Sequence, residues 1–280
     1  MAYYTSEALN DRLYVITDAA GVHAFLALGE RRALLMDTCC GLGDIREEIK
    51  KITSLPLTVW CSHGHLDHAG GAGVFPVVYL NPLDLMLAHR RCTRETRIWY
   101  VKRVLREEYD FREEEYVPQK LTGFLPLHDG DEIDLGGLTC RALSLGGHTP
   151  GSMCVLLKEL RMVFLADACN RMTYMMLEES LSLEEYIDHL KAFRDMYYDS
   201  FDTGLVCHDE AVVDKVIISN TIEVGEEILR GEDLHEERLF FGHEGVLAKA
   251  IVPHKPVRRD GILGNIAYNK YKVLRKGNPL

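Results

Sequence analysis

The sequence predicts a mixed α/β protein in which short strands and amphipathic helices surround a sheet-based core. Three observations lead there. Short apolar runs separated by turn residues fill the first sixty positions, apolar residues then recur at helical spacing in several later segments, and histidines and aspartates gather where strand-like runs end.

In chain order, Arg12 to Thr17, Val22 to Leu28 and Ala33 to Asp37 read as strands, broken at Asp18-Ala19-Ala20-Gly21 and Gly29-Glu30. Gly43 to Ile52 carries Ile45, Ile49 and Ile52 at helical intervals, so a helix returns the chain to an apolar strand ending at Val59-Trp60-Cys61. Asp37, at a strand end, reads as a turn residue, with hydrogen-bond acceptor to a neighbouring ligand as the other reading. Val77 to Leu80 is a further strand, and Asn81-Pro82-Leu83 opens a helical stretch running to about Val117. That stretch is locally basic through Arg90, Arg91, Arg94, Arg97, Lys102, Arg103 and Arg106; a solvated face is expected, and a collar for an anionic substrate is the alternative. Strands follow at Asp131 to Leu135, Leu138 to Leu145, Met153 to Leu157 and Met162 to Ala166. Ser182 to Tyr198 is a helix opened by a Ser182/Glu185 capping box, Thr203 to Cys207 a short strand, and Glu210 to Leu229 a last helix stopped near Gly231. Strands around Val246 to Val252 and Asn265 to Val273 close the reading.

Composition narrows the function. Forty-three acidic against thirty-two basic residues disfavour a general partnership with nucleic-acid phosphates or anionic lipid. The opening residues lack the basic start and apolar core of a secretory signal, and no apolar run approaches membrane-spanning length, so a cytoplasmic protein is the default. Eight scattered cysteines, none in Cys-x-x-Cys spacing, read as free thiols, and several, such as Cys61, Cys140, Cys154 and Cys207, as small hydrophobes within apolar runs.

The chemistry is concentrated in Trp60-Cys61-Ser62-His63-Gly64-His65-Leu66-Asp67-His68. Leaving that many polar rings buried and unpaired at a strand end costs roughly 1–3 kcal/mol each, whereas imidazole and carboxylate are metal ligands. His63 and His65 project the same way from an extended stretch, while Asp67 and His68 lie beyond a bend; one ion could take the first pair and another the second. His148, among glycines, Asp167 and His208 stand at three further strand ends, where sheet enzymes gather their ligands. His23, His89, His128, His189 and His235 read as ordinary, whereas His243 and His254 could approach the site.

These residues resemble the metallo-β-lactamase-fold hydrolases: Ser62 to His68 looks like that family's His-x-His-x-Asp-His signature, and Gly147-His148-Thr149-Pro150-Gly151-Ser152 like its second histidine motif. Asp167 and His208 follow in the family's order. The resemblance implies a four-layer αβ/βα sandwich in one domain, 1–280, with a core at about 12–210, a helical insertion at about 83–117 and a C-terminal extension at about 231–280. It implies His63, His65 and His148 on one metal, Asp67, His68 and His208 on another, and Asp167 bridging, with Asp67 and Asp167 serving the chemistry. Two zinc ions are the expected cofactor, with iron or manganese as the other candidates, and a metal-activated water the expected nucleophile. The bridging aspartate looks like the thioesterase, lactonase and phosphodiesterase branches, so a small ester, thioester or lactone is the expected substrate, with Asn170 and Tyr174 in a Met-rich pocket wall. Phosphodiester cleavage, mono-iron persulfide oxygenation and a non-catalytic binding module are the rival readings. The C-terminal extension could complete a sheet or build a homodimer interface.

Overall fold

A computed structural model describes residues 3–253 and 255–275. Two compact units emerge: Met1–Leu143 with Val155–Leu160 and Cys207–Ala211, and Ser144–Cys154 with Arg161–Val206 and Val212–Leu280.

The first unit is built on a seven-stranded sheet in sequence order, β1 (Tyr4–Asn10), β2 (Leu13–Asp18), β3 (His23–Leu28), β4 (Ala33–Met36), β5 (Leu57–Trp60), β6 (Val78–Leu80) and β7 (Phe124–Pro126). Antiparallel pairing joins β1 through β4, and parallel pairing joins β4 through β7. The switch follows from the connections, because tight turns link the first four strands and parallel neighbours need longer crossovers. One such crossover is α1 (Ile45–Ile52), where Asp44 caps the Arg46 N–H, acids open the helix, lysines close it, and Ile45 and Ile49 are buried. The short α2 (Leu66–Ala69) follows β5; α3 (Leu85–Arg91) and α4 (Arg94–Leu105) form the insertion, and β8 (Glu132–Asp134) pairs with β9 (Thr139–Ser144). Leu13, Ile16, Phe25, Leu26, Leu34, Leu35 and Met36 are fully buried in this unit.

Within β10 (Met153–Leu157) the chain passes from the second unit back to the first. The second unit contains β11 (Met162–Phe164), β12 (Thr173–Met175), α5 (Leu183–Tyr197), β13 (Thr203–Leu205), β14 (Val212–Asp214), α6 (Val216–Arg230), β15 (Glu236–Phe240), β16 (His243–Leu247) and β17 (Ile266–Tyr268). One sheet of this unit runs β12-β17-β16-β15. The α5 capping box is present as expected. Helices α5 and α6 approach so closely that a Cβ on Gly225 would lie 2.1 Å from Ile187 Cδ1, and Gly231, in the left-handed region at φ 69°, ends α6.

Several boundaries depart from the sequence reading. Strand β1 has an almost wholly exposed face pattern and so lacks the alternation that marks a half-buried strand. The last long helix starts at Val216 instead of Glu210, because Val212–Asp214 is taken up in pairing with β13. The helical stretch read from Asn81-Pro82-Leu83 to about Val117 is interrupted: its longest helix runs from Arg94 to Leu105, where Arg106 turns to φ 51°. Thr173–Met175, for which the sequence reading has no strand, pairs parallel to β17. All eight cysteines are free, as expected, and all are buried, which raises the thiol pKa of Cys39, Cys40, Cys61 and Cys154 well above its ordinary value. Among the described residues no helix is long and apolar enough to cross a membrane.

Arg97 departs from the solvated face expected of this stretch, and from the alternative of a substrate collar. Its side chain is fully buried, and its guanidinium donates to the carbonyls of Cys40, Gly41, Gly70 and Val117 at 3.4, 3.5, 3.0 and 2.8 Å. Those bonds pin α4 to the chain just after α2. Replacing Arg97 with Met keeps the bulk and strands these acceptors, each at about 1–3 kcal/mol. Urea unfolding of Arg97→Met is therefore expected to show a loss of about 3 kcal/mol or more, with Arg97→Lys recovering part of it.

Candidate metal centre

The ligand-type residues are presented by two loops of the first unit and two of the second. After β5 the chain turns through Cys61 to His65 into α2, which carries Asp67 and His68. Gly64 makes that turn possible: a Cβ there would lie 2.7 Å from the Asp84 carbonyl oxygen and 2.9 Å from the Ala88 nitrogen. Its N–H donates to Asp84 Oδ2 at 2.9 Å, tying the turn to the start of the insertion.

Asp37 is the organising group behind this loop. It is fully buried at the end of β4 and sits in the left-handed region at φ 67°. Its carboxylate accepts from the Ser62 N–H at 2.6 Å and the Ser62 hydroxyl at 2.8 Å, and lies 2.7 Å from His68 Nδ1. Cys207 Sγ lies 3.6 Å from the same carboxylate. The turn reading of Asp37 thus gives way to the acceptor reading. Because a carboxylate only accepts, His68 Nδ1 carries the proton and Nε2 presents its lone pair. The His68 carbonyl in turn accepts from the Thr38 N–H at 2.7 Å and the Thr38 hydroxyl at 2.9 Å.

His68 Nε2 stands 3.7 Å from Asp67 Oδ1, and His208 Nε2 stands 3.6 Å from Asp67 Oδ2. Two ligands at about 2.1 Å from one tetrahedral ion lie about 3.4 Å apart, so this spacing suits a shared ion better than a hydrogen bond. One ligand atom from each of Asp67, His68 and His208 falls within 4.8 Å of the others. In the same loop His63 Nε2 approaches His65 Nδ1 at 3.0 Å, and Ser62 Oγ lies 3.0 Å from His63 Nδ1.

His208 owes its place to His23, a residue that its mid-strand position made look ordinary. The His23 N–H donates to the Cys207 carbonyl at 2.8 Å, and its Nε2 meets the Asp209 carbonyl at 2.9 Å. That carbonyl requires Nε2 to be the donor, so in the neutral ring Nδ1 accepts from the Thr17 hydroxyl at 2.9 Å. Burial pulls the His23 pKa below its usual value, which favours that neutral ring.

In the second unit His148 Nε2 and Asp167 Oδ2 stand 3.7 Å apart, again the separation of two ligands on one ion. His148 Nδ1 lies 2.7 Å from the Tyr174 carbonyl, which fixes its tautomer as Asp37 fixes that of His68. Gly147 lets this loop lie on Tyr186, since a Cβ would come within 2.2 Å of its ring. Asp167 follows Ala166, held at φ 48°, and its Oδ1 accepts from Asn170 Nδ2 at 2.9 Å.

Asn170 is therefore not a pocket wall. It is 4% exposed, and its Oδ1 also accepts from the Met172 N–H at 2.8 Å, so both ends of the amide serve to hold Asp167. Tyr174 is half-buried, with its ring edge-on to Phe240 and Phe241. His243 is exposed at the start of β16, and His254 lies outside the described residues. Sequence reading missed Asp84 and His23, and no local spacing marked them: each acts through a partner 20 or more positions away.

Comparison with known proteins gives the chain a family and a fold. The family model described as the metallo-beta-lactamase superfamily matches residues 17–171. A human protein named acyl-coenzyme A thioesterase MBLAC2 is 26% identical over 186 residues, which cover 60% of this chain and 67% of that one. An uncharacterised protein of Aquifex aeolicus is 29% identical over 144 residues, 48% of this chain and 57% of its own. Among solved structures, a metallo-beta-lactamase from Pontibacter korlensis superposes with a TM-score of 0.59 at 16% identity, over 80% of this chain and 99% of its own. VMB-1 does so with a TM-score of 0.60 at 13% identity, over 82% and 99%. At these identities the structural likeness carries the fold alone; the family match, spanning more than half of the chain and both histidine motifs, makes this protein a member of the metallo-beta-lactamase superfamily.

Proposed function

We propose that the chain is a metal-dependent hydrolase of acyl thioesters, with a coenzyme A type thiol as the leaving group. The observation that carries this reading is the 3.6–3.7 Å spacing of ligand atoms at Asp67, His68 and His208 and at His148 and Asp167. Kinship directs it to thioesters, since proteins named acyl-coenzyme A thioesterase from human, Bos taurus and Gallus gallus all match this chain. His63, His65, Asp67, His68 and His208 of the first unit, and His148 and Asp167 of the second, are the residues that would hold divalent ions; this imidazole and carboxylate set suits zinc. Such ions, when bound, act as Lewis acids and bring the pKa of water toward neutrality.

The protein's part is orientation. Asp37 and the Tyr174 carbonyl keep the protons of His68 and His148 on Nδ1, so both rings offer Nε2. Asn170 occupies Asp167 Oδ1, which leaves Oδ2 as the oxygen that would serve as a ligand. A thiol of pKa about 8.5 leaves as thiolate without help, so hydrolysis of a thioester needs no separate proton donor.

Elemental analysis of protein purified without added metal is expected to find two zinc ions per chain, and free-thiol release to show turnover of acyl-coenzyme A; one iron per chain with oxygen uptake on persulfides would overturn the reading. Asp167→Ala is expected to lose at least one ion and about 100-fold or more in kcat/KM while far-UV circular dichroism is unchanged. Asp37→Asn turns an acceptor into an amide donor facing His68 Nδ1. Competition with a chromophoric chelator is expected to show about 10–100-fold weaker metal binding, as for loss of other partners behind a metal-ligating histidine.

A further inference from the structure

Phe240 pairs with His243, so the β15–β16 hairpin is closed by the two residues Phe241-Gly242. Both have positive φ, 50° and 89°, the geometry in which Asn, Asp and Gly are favoured and a phenylalanine is sterically unfavourable. Burial does not explain the choice, because Phe241 is 39% exposed. Its ring stands 5.9 Å from that of Tyr174 at 81°, and the Phe240 ring stands 5.9 Å from that of Tyr174 at 64°. Tyr174 is the residue whose carbonyl meets His148 Nδ1. Met172, Met176, Leu247 and Ala267 pack beneath Tyr174 and Phe240. A strained, half-exposed aromatic is thus held against a residue that positions a ligand-type histidine, over an apolar base that includes adaptable methionines.

We propose that Phe241, Phe240 and Tyr174 form an aromatic clamp for the acyl chain of the substrate, and that Phe241 sets its chain-length preference. The proposal rests on the thioester-hydrolase reading and adds which part of the substrate is read, and by what. An alkyl chain laid on the rings gains about fourfold in affinity per methylene removed from water.

The test is steady-state kinetics on straight-chain acyl-coenzyme A esters from acetyl to decanoyl, for the wild type and Phe241→Asn, with Tm measured for both. Asparagine suits the turn, so Tm is expected to hold or rise. The ratio of kcat/KM for octanoyl over acetyl is expected to fall at least fivefold, through KM. An unchanged ratio, or a lower Tm with both substrates affected equally, would mean that Phe241 is structural and would overturn the clamp while leaving the hydrolase reading in place. A Phe241→Asn ratio that is unchanged alongside a loss of wild-type self-association in sedimentation would assign the hairpin tip to a second copy of the chain, also against the clamp. Absence of hydrolysis for every chain length would remove the thioester reading and the clamp together.

Discussion

A carboxylate with no access to water must be surrounded by donors, and Asp37 meets that demand with groups from three separate stretches of chain. Its donors are the Ser62 amide and hydroxyl at the end of β5 and His68 within α2, with the thiol of Cys207 alongside. One side chain thereby sets the order of β4, β5, α2 and the loop that carries His208. The same bonds decide which nitrogen of His68 carries the proton, so the packing of the first unit and the chemistry of its histidines have a common origin. His23 repeats the arrangement on a smaller scale, with Thr17 on one ring nitrogen and the Asp209 carbonyl on the other.

The insertion is fastened to the ligand loop at both of its helices. Asp84 takes the Gly64 amide just ahead of α3, and Arg97 on α4 reaches the Gly70 carbonyl immediately after α2. Its remaining arginines are more typical of a surface: Arg90, Arg94, Arg103 and Arg106 are exposed. Charge in the sequence pointed to one basic surface, yet the residue with the greatest structural consequence, Arg97, is the one that left it. Nothing in its spacing sets it apart from its neighbours; only its four carbonyl acceptors do.

That contrast describes how far the sequence could be read. Periodicity located β2, β3, β4, α1, β10 and α5 to within a residue or two, because each buries one face or a continuous apolar run. The candidate site stands out for a different reason: His63, His65, Asp67 and His68 crowd one strand end, and His148 stands among glycines at another. Strands β1 and β12 were not legible, since the first exposes most of its side chains and the second is a three-residue partner of a distant strand. Asn170 was read correctly as close to Asp167 and wrongly as a wall, because sequence gives proximity along the chain and says nothing of where the two ends of an amide go.

The burial of all eight sulfurs has a consequence for the company this protein keeps. Burial pushes the thiols of Cys92, Cys140 and Cys169 up to about 12, so the nucleophilic thiolate is a negligible fraction of each near neutrality. A sulfur placed in this way is a poor nucleophile toward any electrophile that meets the protein and a poor attacker of any disulfide.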